Sequence, residues 1–294
     1  MSLIPSYKST VIAVLGLSSF SLHLIALEQT SNQKVVTNNA SASPSAAGSA
    51  STSDTDLAKS LQNPLADLIS VPLEGRLDSG SGNTERYTLN IQPVIPFELT
   101  PDWLMISRTI LPVVADVSYE KSPIAGESGS GCGIGDITQS FFFAPKQPID
   151  GWIIGAGPVL RLPTASRDEF GADRWGVGPT AVILRQEDAW TYGMLVNHIW
   201  SFAGNGPENV NTTYLQPFLA YTTDSLTTIG VGTESGYDWT GRQWTIPIDV
   251  SVSQLVRIGE MPVEFGLGVR EYAVRPAGGP NWGLKLSVTF TFGK

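Results

Sequence analysis

The chain of 294 residues has one cysteine, Cys132, and two histidines. A single thiol excludes an intrachain disulfide framework and a cysteine-rich zinc site. Cys132 lies among Gly and Ser and reads as an incidental thiol. Charge is scarce too, at 15% of residues against about 25% in soluble domains. Cations are the scarcer sign: 18 Lys and Arg stand against 27 Asp and Glu, for a net charge of −9. That balance excludes a nucleic-acid partner, because phosphate affinity comes from clustered Lys and Arg. Beyond residue 27 no run of 18 apolar residues occurs, so no membrane-spanning helix is expected there. Hydrophobic residues are nevertheless only 41% of the chain. Low charge without high hydrophobicity is what the sequence pattern has to explain.

The first 27 residues read as a signal peptide, with Lys8 ahead of the apolar run Val11–Leu27. Residues 28–53 are mostly Ser, Ala, Asn and Thr. Such a segment buries too little to offset its ordering entropy, so a disordered linker is expected. Over 54–67 the spacing of Leu57, Leu61 and Leu65 predicts a short amphipathic helix directly ahead of the first strand. Three placements are open for it: a plug in a lumen, a position on the membrane surface, or a passive lead-in.

From residue 68 onward the period is two. Trp282, Leu284, Leu286, Val288, Phe290 and Phe292 alternate with Gly283, Lys285, Ser287, Thr289, Thr291 and Gly293. Alternate side chains of a strand face opposite ways, so one face is apolar and the other polar or Gly. About eleven residues is the length that crosses a bilayer at barrel tilt. Twelve such strands can be drawn: 68–77, 86–97, 103–114, 133–145, 151–163, 175–186, 190–202, 212–222, 226–237, 243–255, 261–272 and 282–292. Two are blurred. Over 103–114 the faces are mixed, and over 151–163 Ile153 and Val159 interrupt the polar face. Gln139 shares a face with Phe141 and Phe143.

Short connections alternate with long ones, such as Asp78–Glu85, Ala115–Cys132 and Thr164–Arg174. That asymmetry belongs to outer-membrane barrels. Trp103, Trp152, Trp175, Trp190, Trp200, Trp244 and Trp282 fall at strand ends, where aromatic girdles meet the membrane interfaces. The expected fold is therefore all-β: a 12-stranded antiparallel up-and-down transmembrane β-barrel over 68–294, with a short N-terminal helix. Its setting is the bacterial outer membrane. Its partners are outer-membrane lipids, small solutes and the barrel-assembly machinery.

Charges do not face hydrocarbon cheaply; Arg or Lys at mid-bilayer costs about 2–4 kcal/mol. Glu74, Arg76, Asn90, Gln92, Asp136, Arg161, Asn197, Gln216, Glu234, Asp249, Glu264, Arg270 and Lys285 are therefore expected to line the lumen. They either pair across it and fill it or border a path for solutes. Twelve strands lie between barrels filled by side chains and barrels with an aqueous channel, so a narrow or plugged pore is expected.

No catalytic site, cofactor or metal site is expected. A hydrolase needs a nucleophile with a base, and beyond residue 27 the sole histidine is His198, with Ser201 and Ser253 as conceivable partners. Asp168, Glu169 and Asp173 read as solvated surface charge.

Several stretches together carry a family resemblance: DLAKSLQNPLADLISVPLE (56–74), LNIQPVIPFEL (89–99), WLMISRTILPV (103–113), GIGDITQSFFFAP (133–145), GAGPVLRLPTAS (155–166), VNHIWSFAG (196–204) and YLQPFLAY (214–221). As a set they resemble bacterial outer-membrane barrel transporters that carry the misleading label "neuromedin U", similar to the group named for meta-pathway phenol degradation. The resemblance implies an outer-membrane barrel of transport function and supplies no catalytic residues. The expected function is a channel passing small solutes, hydrophobic ones included, through a narrow mixed-charge lumen. The alternatives are a non-conducting barrel acting through its outer loops and, behind that, an outer-membrane lipid hydrolase.

Overall fold

A computed structural model describes residues 54–80, 85–122 and 127–292. The expected signal peptide and linker lie outside the described residues. The chain begins with helix α1 (Asp54–Leu61) and continues as β1 (Ile69–Gly80), β2 (Glu85–Ile91), β3 (Val94–Thr100), β4 (Trp103–Ser122), β5 (Glu127–Ile134), β6 (Ile137–Pro145), β7 (Trp152–Leu162), β8 (Arg174–Glu187), β9 (Trp190–Gly204), β10 (Asn211–Thr222), β11 (Thr227–Gly232), β12 (Ser235–Asp238), β13 (Gln243–Ile258), β14 (Met261–Val274) and β15 (Pro280–Phe292).

Every strand pairing is antiparallel, and β15 pairs with β1 from Ile69↔Phe292 to Gly80↔Pro280. The sheet is therefore a closed barrel and has no free edge. Among the described residues it has twelve strands, because β2 and β3, β5 and β6, and β11 and β12 are each two halves of one strand.

The interruptions have local causes. Pro93, between β2 and β3, has no N–H to donate. Between β5 and β6, Gly135 and Asp136 add one residue relative to the facing stretch of β4, which is a bulge. The β11–β12 break lies opposite Pro217, which accepts from the Thr233 N–H at 3.2 Å but donates nothing.

The outer surface is a lipid-facing belt. Leu286, Val269 and Leu267 stay exposed at 63%, 55% and 52%, in a protein whose charges face elsewhere. Only hydrocarbon covers such a belt without cost. Gln139 sits on this outer side with Phe141 and Phe143, and its amide is satisfied locally. It accepts from the Thr109 hydroxyl at 2.6 Å and donates to Ser107 Oγ at 3.0 Å. Tryptophans collect at the two rims. Trp103, Trp152 and Trp190 lie at the short-turn end, where Trp190 meets Tyr221 edge-on at 4.8 Å. Trp175, Trp200, Trp244 and Trp282 lie at the loop end with Trp239, and Tyr237 stacks between Trp239 and Trp244 at 4.8 Å from each.

Two expectations about elements need correction. The long loop over Ala115–Cys132 is mostly ladder: β4 runs on to Ser122 and β5 starts at Glu127, paired through Tyr119↔Gly129 and Glu120↔Ser128. Gly and Ser are poor strand formers, yet a hairpin can continue into water because it satisfies its own backbone groups. The N-terminal helix is shorter than 54–67 and stops at Leu61. Pro64 disfavours helical backbone at Asn63, and the Asn63 side chain then accepts from the Leu65 N–H at 2.9 Å. Leu65 therefore leaves the helix.

The larger correction concerns the inner wall. On β1 and β12 to β15 it is polar, as the alternation predicts. Toward the turn end of β4 to β9 it is apolar: Leu104, Ile106, Phe142, Ala144, Val182, Leu184 and Leu195 form one buried cluster. Over that stretch β4, β6, β8 and β9 carry apolar residues on both faces.

Candidate lumenal site

The apolar cluster is completed by Leu65, which is 4% exposed and packs among the seven wall residues. Gly155 makes room for it; a Cβ there would lie 2.8 Å from a Leu65 methyl. Leu57 and Leu61 remain half-buried, and Ala58 is the helix residue with no exposed surface. Polar contacts tie the segment to the wall. Gln186 donates to the Lys59 carbonyl at 2.8 Å, and Gln62 donates to Glu264 at 3.1 Å. At the rim Arg257 Nε donates to Asp54 at 3.0 Å. That hydrogen bond, with the cation's charge, holds the Asp54 carboxyl below the usual carboxylate range. The segment thus sits inside the turn-end mouth of the barrel.

Above it, six of the charged residues singled out in the sequence converge. Arg76 contacts Glu74 at 2.5 Å and Glu234 at 2.6 Å. Arg270 reaches the same Glu234 at 3.0 Å and holds Asp249 through two hydrogen bonds of 2.7 and 2.8 Å. Lys285 lies 3.2 Å from both Glu74 and Glu234. Three carboxylates and three cations make a balanced network. Glu234 is its hub: it occupies the β11–β12 break and reaches cations on β14, β15 and β1. Arg76 and Lys285 are directly opposed across the β1–β15 ladder.

A second pair lies toward the loop end. Asp136, in the β5–β6 bulge, accepts from Arg161 at 3.0 and 3.1 Å and from the backbone N–H groups of Ala165 and Ala172 at 3.2 and 2.8 Å. It pins the loop between β7 and β8 to the wall. Phe170 of that loop lies against Gly133, where a Cβ would be 3.1 Å from its ring. Among the remaining residues, Asn90 and Gln92 are buried, Asn197 is half-buried, Gln216 borders the cavity described next, and Glu264 accepts from Ser253 at 2.8 Å as well as from Gln62.

Between the 54–67 segment and the charge network is a cavity of about 330 Å³. Leu61 and Asn63 bound it below, Glu74, Glu234, Asp249 and Lys285 on one side, and Val94, Phe218 and Arg108 on the other. The alternation argument did not single out Arg108 or the apolar inner wall. Their signal was the blurring itself. A strand apolar on both faces with one Arg, such as 103–114, has only the lumen to offer that cation.

His198 lies on the outer face, 4.1 Å from the Trp200 ring, and its Nδ1 bonds Thr213 Oγ1 at 2.7 Å. Ser201 accepts from the Val210 N–H and Ser253 donates to Glu264, so neither hydroxyl is on the imidazole. Among the described residues no group of three or more His, Cys, Asp or Glu is arranged to hold a metal ion.

No family model and no curated protein matches the chain. Solved structures do. An outer-membrane channel from Pseudomonas putida F1 superposes with a TM-score of 0.60 at 16% identity, over 76% of this chain and 94% of that one. The NanC porin gives 0.46 at 10% identity, over 76% and 100%. Outer membrane phospholipase A from Escherichia coli gives 0.45 at 11%, over 78% and 91%. Closed single-chain barrels with an even strand number and a lipid-facing belt reside in the bacterial outer membrane. The chain has the fold of the Pseudomonas putida channel, a closed outer-membrane β-barrel, and its place is the bacterial outer membrane.

Proposed function

We propose that the chain is an outer-membrane channel for small solutes, hydrophobic ones included, with a mixed-charge lumen and residues 54–67 as its plug. The observation that carries this reading is the lumenal cavity. The barrel interior is not packed solid; it holds about 330 Å³ of space between the 54–67 segment and the charge network. Its lining mixes apolar side chains such as Val94 and Phe218 with ionic ones, which suits solutes with both kinds of surface. The sequence resemblance to "neuromedin U" barrels and the likeness in fold to the Pseudomonas putida channel support the same reading. The geometry around His198 puts neither Ser201 nor Ser253 on the imidazole, which removes the serine partners of the lipid-hydrolase reading. A barrel acting only through its outer loops loses much of its motive, because most of Ala115–Cys132 is paired strand.

Planar-bilayer recording tests the proposal. The full chain should give small, infrequent conductance steps, and deletion of residues 54–67 should raise the step size several-fold. Silence from both proteins would overturn it.

A further inference from the structure

We infer that the lumenal cavity is a binding site for a small organic monoanion, whose carboxylate sits on Arg108 and whose apolar body lies against Phe218, Val94 and Leu61. The charge count leads there. The network of Glu74, Arg76, Glu234, Asp249, Arg270 and Lys285 is balanced within itself. Arg108 adds a positive charge at the cavity wall and, among the described residues, has no carboxylate partner. Its one hydrogen bond runs from Nη2 to Gln92 Oε1 at 2.8 Å. A guanidinium has five N–H donors, so most of its fork faces the space beside it. Gln92 fixes the plane of the group, which is what bidentate capture of a carboxylate requires.

The rest of the cavity narrows the class. Phe218, Val94 and Leu61 border it and favour a short apolar body over a bare inorganic ion. Glu74, Glu234, Asp249 and Lys285 also border it but are neutralised within the network, so Arg108 leaves one positive charge, which matches a monoanion and not a dianion such as phosphate. A neutral hydrophobe would cover the apolar side and leave the Arg108 charge uncompensated, which is costly away from water. Glu264, a carboxylate without a cation, is turned to Gln62 and Ser253 nearer the rim and is not part of this wall. A volume of about 330 Å³ is at the small end of ligand pockets and suits a single-ring or short-chain acid. The inference deepens the channel reading and rests on it for its physiological sense.

Benzoate and benzamide are suitable probes, being nearly the same shape and differing in charge. Calorimetric titration of the full chain in detergent should show benzoate binding at least tenfold tighter than benzamide. Arg108→Gln should abolish that preference, while Phe218→Ala should weaken both ligands. Heat-modifiable migration on gels checks that each variant is folded. Equal affinity for the two ligands, no benzoate binding at millimolar concentration, or a preference that survives Arg108→Gln overturns the inference. If Arg108→Gln does not fold, the wild-type comparison alone decides. Conductance fails separately. A silent barrel that still prefers benzoate would remove the channel reading and keep the site; a conducting barrel that treats both ligands alike would do the reverse.

Discussion

At the residue scale, two kinds of ion pair have different weight. The pairs around Glu234 lie inside the barrel, and removing one member leaves its partners unpaired away from bulk water, a loss of about 3 kcal/mol or more. Asp54 and Arg257 are exposed at the rim, where a pair is weak and screened by salt. What the rim pair controls is attachment of the plug. The Asp54 carboxyl titrates lower in the folded protein than in the free chain. Its contribution is therefore present above the unfolded value, near pH 4, and is lost as pH falls through the folded one. A spin label at Asp56→Cys, in a protein whose exposed Cys132 is replaced by Ser, should accordingly become more mobile only below about pH 4. Asp54→Asn should give that mobility already at pH 7, with barrel stability unchanged; identical spectra for both proteins at both pH values would rule the latch out. The charged lumen residues were legible because an ion in a strand that faces lipid on its other side has one direction to point. Arg108 was not, because its strand shows no polar face from which to read a direction.

At the scale of elements, the plug is held more by shape than by charge. Leu65 fills a niche that exists because residue 155 is Gly and its neighbour on the wall is the small Ala144, within the cluster that includes Ile106, Phe142 and Val182. Gly155→Val would place its branches where the Leu65 methyls now are. Overpacking of this kind costs roughly 1–3 kcal/mol, and the cheapest relief is withdrawal of the segment rather than distortion of a closed barrel. The variant should therefore show channel activity close to that of the deletion of 54–67, with an unchanged melting temperature of the barrel; wild-type conductance would count against a plug held by Leu65. The strands themselves were almost fully readable, since a period of two against lipid leaves little latitude. The helix end was misread because the leucine spacing continues through Leu65, while the backbone stops at the Asn63–Pro64 step. The β4–β5 hairpin was misread for the opposite reason: its Gly and Ser residues hide a ladder whose stability is in the backbone.

At the scale of the molecule, the low charge and modest hydrophobicity have one cause. Lipid is the solvent for one face of every strand and a polar or filled lumen for the other. The tryptophans mark where that changes. With the barrel in vesicles, lipids brominated near the headgroup should quench its fluorescence more strongly than lipids brominated at mid-chain, and the reverse order would displace the membrane from the belt described. Closure adds a requirement of its own. The seam between the first and last strands sets Arg76 opposite Lys285, and like charges in facing positions resist pairing. Glu74 of β1 lies against both and supplies one carboxylate; the second comes from Glu234, which belongs to neither strand. The seam consequently keeps one unmatched positive charge until the β11–β12 strand has taken its position. Order of assembly is thereby written into the lumen: the ends of the chain are discouraged from zipping together before the wall between them is complete.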